Sequence, residues 1–333
     1  MENKGLNDAL RKALMNTTAG TGGDFLPLPL ARQFIQYVWD QNFLRQAFRV
    51  VPMRTKTLDY PKILSKPKVY YESTEGTAAI KTTFTTATLR LTAKKFLSEI
   101  DLSMEVIEDA QNDMQAIARE IFAGALAEAE EQAMIIGDPA HSPTTATEAS
   151  ETASTWFTKD HRMIWYGLLT LAADIAGVLG DDTRAANRVD GGGGAMSTAI
   201  IRQAMYNLGK YGRVMQNLLL ILNPWSSNQL LDDAKLVTLD KYGPQATIFT
   251  GEFGKLYGKV AVINSAQTTD GYGVITHIGN PIIGDRRRVK IKTDEEIKED
   301  VKVFVLSERA DFQVMHKAAL CQVWNLESPS TIS

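Results

Sequence analysis

The stretch most suggestive of chemistry is "DGGGGA", residues 190–195. A phosphate-cradling loop offers backbone N–H groups from a glycine-rich turn, with a Lys and a Ser or Thr at fixed spacing to meet the phosphate and its metal ion. Here the next lysine is Lys210 and polar loop precedes Asp190, so the run reads as a flexible linker. Metal chemistry has no better footing. His141, His161, His277 and His316 show neither His-x3-His nor Cys/His spacing. Cys321 is the single cysteine and sits in an apolar run that suits core packing. Ser226 and Ser227 lack the Gly-x-Ser-x-Gly elbow that exposes a nucleophile. The carboxylates of Asp181 and Asp182, Asp232 and Asp233, and Glu295 and Glu296 are sequence neighbours, so each pair points apart and reads as solvated. "GYG" at 271–273 reads as a turn. No catalytic group, metal ligand or cofactor is expected.

One basic cluster remains. "GDRRRVKIK", residues 284–292, carries Arg286, Arg287, Arg288, Lys290 and Lys292. These could meet phosphates, the acidic "TDEEIKED" stretch that follows, or acidic residues on a neighbouring copy. No aromatic side chain is interleaved as a base-stacking platform, which favours protein–protein pairing. The whole-chain balance agrees: 36 Lys plus Arg against 39 Asp plus Glu give a formal net charge of -3. A protein that coats nucleic acid carries a strong positive excess.

The elements that would position these groups are unusual. The chain has 333 residues, 44% of them hydrophobic, enough core for one large domain or a few smaller ones. A single cysteine leaves no disulfide framework. No apolar stretch approaches the ~20 residues of a membrane span. Residues 1–14 read as a polar helix without a signal peptide's apolar core, so a soluble protein made in the cytoplasm is expected. Residues 1–25 are polar and end in "NTTAGTGGDF", rich in Gly and Thr, which reads as a flexible arm. Residues 30–53 read as an amphipathic helix followed by the strand "FRVVPM".

Residues 54–96 are rich in Thr, Lys and Tyr and poor in large aliphatics, with strand propensity but no apolar core face. Two such extended arms describe a long β-hairpin projecting from the body. A lone two-stranded hairpin is marginal in water, so something outside the domain should hold it. Leu89, Leu91, Ala93 and Leu97 share one parity, and after Ser103 the rhythm turns helical with no Gly or Pro between. Ile107, Ala110, Met114, Ile117, Ile121, Ala125 and Ala129 then mark the apolar face of one helix that Gly137 stops. About 34 residues at ~1.5 Å each give a spine of roughly 50 Å. Loops near 141–155 and 181–195 separate further helices and short strands. The end reads as an antiparallel pair, 301–308 and 312–324, joined by "RAD". The class is α+β without a βαβ repeat.

This order of elements resembles the major capsid proteins of tailed bacteriophages, the Hong Kong 97-type shell fold. The residues that carry the likeness are "GTGGDFLPLPLARQFIQYVWDQNFLRQAFRVVPM", the extended loop, "LSEIDLSMEVIEDA", "PWSSNQLLD" and "DVKVFVLSERADFQVMHKAALCQV". It implies an N-terminal arm (1–29), a helix and strand leading in (30–53), an extended hairpin loop (54–96), and a peripheral domain with the spine helix (97–139). An axial domain (140–295), closing strands of the peripheral domain (296–327) and a tail (328–333) complete it.

The implied function is self-assembly through pentamers and hexamers into an icosahedral shell that encloses double-stranded DNA without sequence-specific binding. The virion is the implied location. The hairpin would lie over a neighbouring copy, with Lys62, Lys66, Lys68, Tyr70, Glu72, Glu75, Lys81 and Arg90 in contact, and Arg286, Arg287 and Arg288 as further contacts. Some relatives carry a long N-terminal scaffolding region that a protease removes; only about 25 residues precede Phe25 here, so either a separate scaffolding protein is expected or the chain is a processed form, with a portal and a decoration protein as further partners. Some relatives cross-link a hairpin lysine to a neighbour's asparagine, and no local motif marks one here. The alternatives are an encapsulin-type nanocompartment shell, a phosphate-binding enzyme using residues 190–195, and a nucleic-acid-binding module.

Overall fold

The computed structural model describes residues 42–71, 78, 80–109, 114–140, 160–173, 187–233, 255–256 and 260–328. Asn42 starts the first described helix, α1 (Phe43–Ala47), and its side chain accepts the Arg45 N–H at 2.9 Å. That fills one of the donors a helix start leaves open. Strand β1 (Arg49–Pro52) follows and pairs in parallel with β10 (Pro281–Glu296). β10 turns into β11 (Val301–Val314), and β4 (Lys94–Ser103) closes this sheet in the order β1-β10-β11-β4. A second sheet holds β5 (Arg188–Asp190), β6 (Leu218–Leu222), β7 (Lys255–Leu256), β8 (Val260–Asn264), β9 (Gly273–His277) and β12 (Leu320–Trp324). Its order is β5-β12-β9-β6-β8-β7, with the all-buried β6 near its centre.

The hairpin expected at 54–96 is present at its base as a two-stranded sheet, β2 (Thr57–Ile63) against β3 (Thr86–Thr92). Its composition misled on one point. Leu89 and Leu91 are buried with Met53, Ala93 and Ile282, and Leu58 and Tyr60 pack against them, so the base has an apolar face and rests on the body. Beyond Ile63 the described residues form no ladder; Leu64 N–H still donates to Thr85 O at 2.8 Å.

Residues 86–103 are extended almost throughout and change partner at Ala93, from β2 to β11. The break also shifts the parity. Phe96 is buried edge-on against Trp165, while Leu97, expected on the inner face, is exposed. The strand does run directly into helix: β4 ends at Ser103 and α2 (Met104–Asp109) begins at once, its first N–H donating to Asp300 O in the β10–β11 turn.

Helix α3 (Met114–Ile136) is the spine, 23 residues or about 35 Å long; residues 110–113, expected to continue it toward α2, lie outside the described ones. Its buried stripe is one position from the expected one. Ala118, Phe122, Leu126, Ala133 and Met134 enter the core, whereas Ile121 is 40% exposed and Ile117 half-buried. Alanines occupy both stripes and fit either register; the bulk of Phe122 and Leu126 decides which side packs. Replacing Ile121 with Asp is therefore expected to change unfolding stability by less than about 1 kcal/mol. A urea titration checks this, and a drop like that of a core substitution would return Ile121 to the interior.

The spine stops at Gly137, where a later segment of the chain crosses closely. Gly167 N–H donates to Gly137 O at 2.7 Å, just before α4 (Leu168–Ala173). A Cβ on Gly167 would lie 2.5 Å from Gly137 N and 2.6 Å from Ile135 O, both backbone atoms that cannot rotate away. Gly167→Ala should cost about 3 kcal/mol by overpacking, read as a lower urea midpoint with an unchanged slope.

The expected closing pair is not formed. β11 runs unbroken through Arg309, Ala310 and Asp311 to Val314 and pairs with β10 and β4. The polar triplet is no turn, because Ala310 is buried and the Asp311 carboxylate accepts Thr92 N–H at 2.6 Å. β12 then joins the other sheet, between β5 and β9. The strands thus divide differently from the expected boundary at 295 and 296: β10, from Pro281 onward, lies wholly in the four-stranded sheet. A core of α1, α3, α4 and facing strands of both large sheets joins the two. A second core lies between the six-stranded sheet, α5 (Thr198–Asn207) and α6 (Pro224–Leu231).

Candidate functional site

The chemical candidates dissolve into structure. "DGGGGA" is a turn pinned to the end of β12, not a linker: Gly191 N–H donates to Trp324 O and Gly193 N–H to Asn325 O, both at 2.8 Å, and Asp190 accepts from Gly192 N–H and from the Asn325 amide. Gly192 and Gly193 hold positive φ, which explains those two glycines. With these donors used, the loop offers no phosphate cradle. Ser226 and Ser227 are buried in α6, and Ser227 Oγ donates to Pro224 O. Asp233 accepts from both the N–H and the hydroxyl of Thr198, at the start of α5. His316 stacks on Tyr211, His277 accepts from Gly279 N–H, and His161 meets Gln132. His141, Asp181 and Asp182 lie outside the described residues, and among the described ones no group of side chains could hold a metal ion.

The far end of the hairpin carries several exposed large apolar side chains among the described residues. Val69 is 96% and Tyr71 89% exposed, with Tyr70, Ile80 and Phe84 also open to solvent. Lys66, Lys68 and Lys81 are exposed among them. Five large apolar side chains left open on one segment are more than scattered surface exposure explains. The other hairpin residues sort by position. Lys62 Nζ donates to Met315 O at 3.2 Å and fastens the base to the body. Arg90 forms a two-pronged pair with Asp59 across β2 and β3, at 2.7 and 2.8 Å. Its hydrogen bonds hold the Asp59 carboxyl below its ordinary value. Glu72 and Glu75 lie outside the described residues.

The basic cluster falls on two irregularities of β10. The register against β11 shifts between Asp285 and Arg287 and again between Arg287 and Lys290, so the strand carries extra residues there. The three arginines there differ in surroundings. Arg287 donates to Ser307 Oγ at 2.7 Å, Arg286 is half-buried and Arg288 is exposed. The acidic stretch after them takes a different partner, Lys302 beside Glu295 at 3.5 Å.

Next to the bulge lies a cluster that sequence reasoning missed. The Arg45 guanidinium, from α1, contacts Glu130 of α3 and Asp285 of β10 directly, and Glu308 of β11 at 3.5 Å. Asn42 Nδ2 donates to the second Glu130 oxygen at 2.8 Å, and Phe43 N–H to Glu131 at 3.2 Å. One cation thus serves three buried carboxylates and ties α1 to the spine and the sheet. Burial pushes the Glu130 carboxyl up to about 7; Arg45 opposes this, and the charges of Glu308 and Asp285 add to it. Glu308 is raised by burial and by Asp285. Burial draws the Arg45 guanidinium down, but its three carboxylates outweigh that and hold it above its ordinary value. The signal was faint: two adjacent glutamates, Glu130 and Glu131, before the apolar last turn of a helix.

The comparisons with known proteins point one way. A family model described as the Phage capsid family matches residues 22–323. Among solved structures, the capsid of an empty GTA particle computed with C5 symmetry aligns with TM-score 0.70 at 18% identity, over 94% of this chain and 99% of that one. A structure from Microbacterium phage Oxtober96 aligns with TM-score 0.64 at 12% identity, over 93% and 99%. The capsid of cyanophage P-SCSP1u gives TM-score 0.65 at 12% identity, over 96% and 98%. No curated protein matches by sequence.

Proposed function

The chain belongs to the phage capsid family and is a capsid shell protein, and on that premise we propose that it closes an icosahedral shell of pentamers and hexamers around double-stranded DNA. In this reading the six-stranded sheet with α5 and α6 faces the axis of each ring. The four-stranded sheet with the spine forms the periphery, and the hairpin reaches over a neighbouring copy. The observation that carries it is the hairpin: its base is built into the core of its own subunit, while Val69, Tyr70, Tyr71 and Phe84 at its far end stay in solvent. A surface fixed at one end and apolar at the other fits a heterologous contact, which closes into rings when the rotation allows. Weak individual contacts then sum over the closed shell. Lys66, Lys68, Lys81 and Arg288, exposed in the subunit, are the cations free to meet acidic groups on that neighbour. Lys62 and Arg90 keep their partners inside the chain and act by stiffening the hairpin base.

A mild net charge of -3 suits such a container, since hundreds of strongly basic subunits would grip the enclosed DNA. A separate scaffolding protein, a portal and a decoration protein are the further partners of this reading, and the host cytoplasm is where the subunit is made. The test is electron microscopy and light scattering on the purified chain, alone and with a candidate scaffolding protein. Closed shells or capsomer rings are expected. A monomer or dimer under every condition would overturn the proposal, and particles that hold an enzyme in place of DNA would move it to a nanocompartment.

A further inference from the structure

The last turns of α5 and the turn at Gly209–Arg213 line an open groove of roughly 380 Å³. Arg202, Met205, Tyr206 and Gly209 recur at three- and four-residue spacing, so they share one face. Met205, Tyr206 and Met215 supply apolar wall; Tyr206 is 83% exposed, and Val214 and Met215 are open as well. Arg202 and Arg213 complete the lining. Both are exposed, and neither guanidinium has a hydrogen bond or ion pair among the described residues. From Thr198 to Leu222 the chain carries three cations, Arg202, Lys210 and Arg213, and no acid.

The opposite end of the same sheet is acidic. β6 starts at the basic end: Asn217 O, just before it, accepts Ile278 N–H at 2.8 Å, and Tyr211 stacks on His316, ahead of β12. Past its far end, Asn223 Nδ2 donates to Asp270 at 2.8 Å. The Leu326 and Glu327 N–H groups, beyond β12, donate there to Gly271 O and Gly194 O, both at 3.0 Å. Gln229 of α6 donates to Glu327 at 3.1 Å, which brings Asp232, just after α6, to this end too. Asp190, Asp232 and Asp270 are exposed. A Cβ on Gly192 or Gly193 would meet nothing within 4 Å, so the outer surface of the glycine turn is open. Strands of five residues hold the two ends about 17 Å apart.

We propose that the groove seats on the acidic end of a second copy, with Arg202 and Arg213 against Asp232 and Asp270 and Tyr206 over the open glycine turn. The contact presupposes the rings proposed above and supplies the join between consecutive copies in each. One basic and one acidic end suit a head-to-tail contact, because every copy then offers both halves. The charges also set direction, since like ends would repel. A nucleic-acid phosphate would meet the two arginines as well, but it would leave Tyr206 and Met215 uncovered.

The experiment uses the full chain, alone and with a candidate scaffolding protein, read by sedimentation velocity and electron microscopy. Three variants are compared with the parent: Arg202→Glu with Arg213→Glu, Asp232→Arg with Asp270→Arg, and all four together. Either pair of reversals should raise the concentration at which rings or shells appear by roughly tenfold or more, since like charges then face each other. The four-fold variant exchanges the two ends and should restore assembly near the parent's concentration. Of the four side chains only Asp270 has a partner among the described residues, Asn223, so melting temperatures should stay close to the parent's. Arg213→Glu with Asp232→Arg provides the same exchange if the four-fold variant fails to fold. Reversed pairs that assemble at the parent's concentration, or an exchange that restores nothing, would overturn this contact and leave the shell reading standing. Reversals that spare assembly and only lower the retention of DNA would overturn it too, and assign the groove to phosphates. A parent that never assembles would overturn the shell reading, and the contact with it.

Discussion

Replacing residues 64–85 with Asn-Gly should leave a folded subunit that no longer closes shells. Ile63 and Thr86 are paired Cα partners at the end of the β2–β3 ladder, so a two-residue hairpin turn can join them directly. Everything that holds the hairpin base remains: Leu89 and Leu91 against Met53 and Ile282, the Asp59–Arg90 pair, and the Lys62 bond to Met315. The melting temperature should stay within about 1.5 °C of the parent, equivalent to roughly 1 kcal/mol for a chain of this size. What is removed includes the exposed set of Val69, Tyr70, Tyr71 and Phe84, side chains that contribute little to the subunit's own core. Rings or single subunits by microscopy, in place of closed particles, are the expected result. Normal particles from this variant would show that the far end of the hairpin is dispensable and would remove the main support for its role between copies.

The contrast between base and tip also shows what the sequence could reveal. The Thr- and Lys-rich composition of 54–96 announces an extended ribbon, and the missing turn at Ser103 announces a direct entrance into helix; both are properties of local chemistry. Which leucines face inward depends on where the ribbon changes partner, at Ala93, and that is decided by β11, some two hundred residues away in the chain. The same limit explains the spine. A three-and-four spacing fitted either Ile117 and Ile121 or Ala118 and Phe122, and only the opposing core chooses between them. "RAD" looked like a turn because charged residues usually mark one; its aspartate is instead held by Thr92 N–H from a neighbouring segment. The Arg45 cluster draws on four elements spread between positions 45 and 308, so no window of sequence contains it.

That cluster sets the second large effect, a stability that falls as pH rises. Glu130 titrates near its usual 4.5 in the unfolded chain and at about 7 in the folded one. A raised carboxyl binds more protons folded than unfolded, so its contribution is full below pH 4.5 and is lost as pH climbs through 7. A shift of that size corresponds to roughly 3 kcal/mol. Glu308 is raised as well, and burial lifts Asp311 to about 6, so both add to the same slope. Asp160 is lowered: burial opposes this, but the hydrogen bonds from Arg162 prevail, and its contribution is lost only on the acid side, below its ordinary 3.8. The optimum should therefore lie near pH 5, with unfolding free energy declining between pH 5 and pH 8. Arg45→Met keeps most of the aliphatic stem but strands three carboxylates. At pH 8 it should cost about 3–5 kcal/mol, the range for breaking a buried ion pair from one side. At pH 5 the cost should shrink, because protons can replace the guanidinium. Glu130→Gln should flatten the pH slope, since its amide cannot titrate. Urea titrations at the two pH values, on the parent and both variants, provide the measurement. A loss in Arg45→Met that is equal at pH 5 and pH 8, or a parent that grows more stable across that interval, would mean that the three carboxylates are compensated by something other than Arg45 and a shared proton.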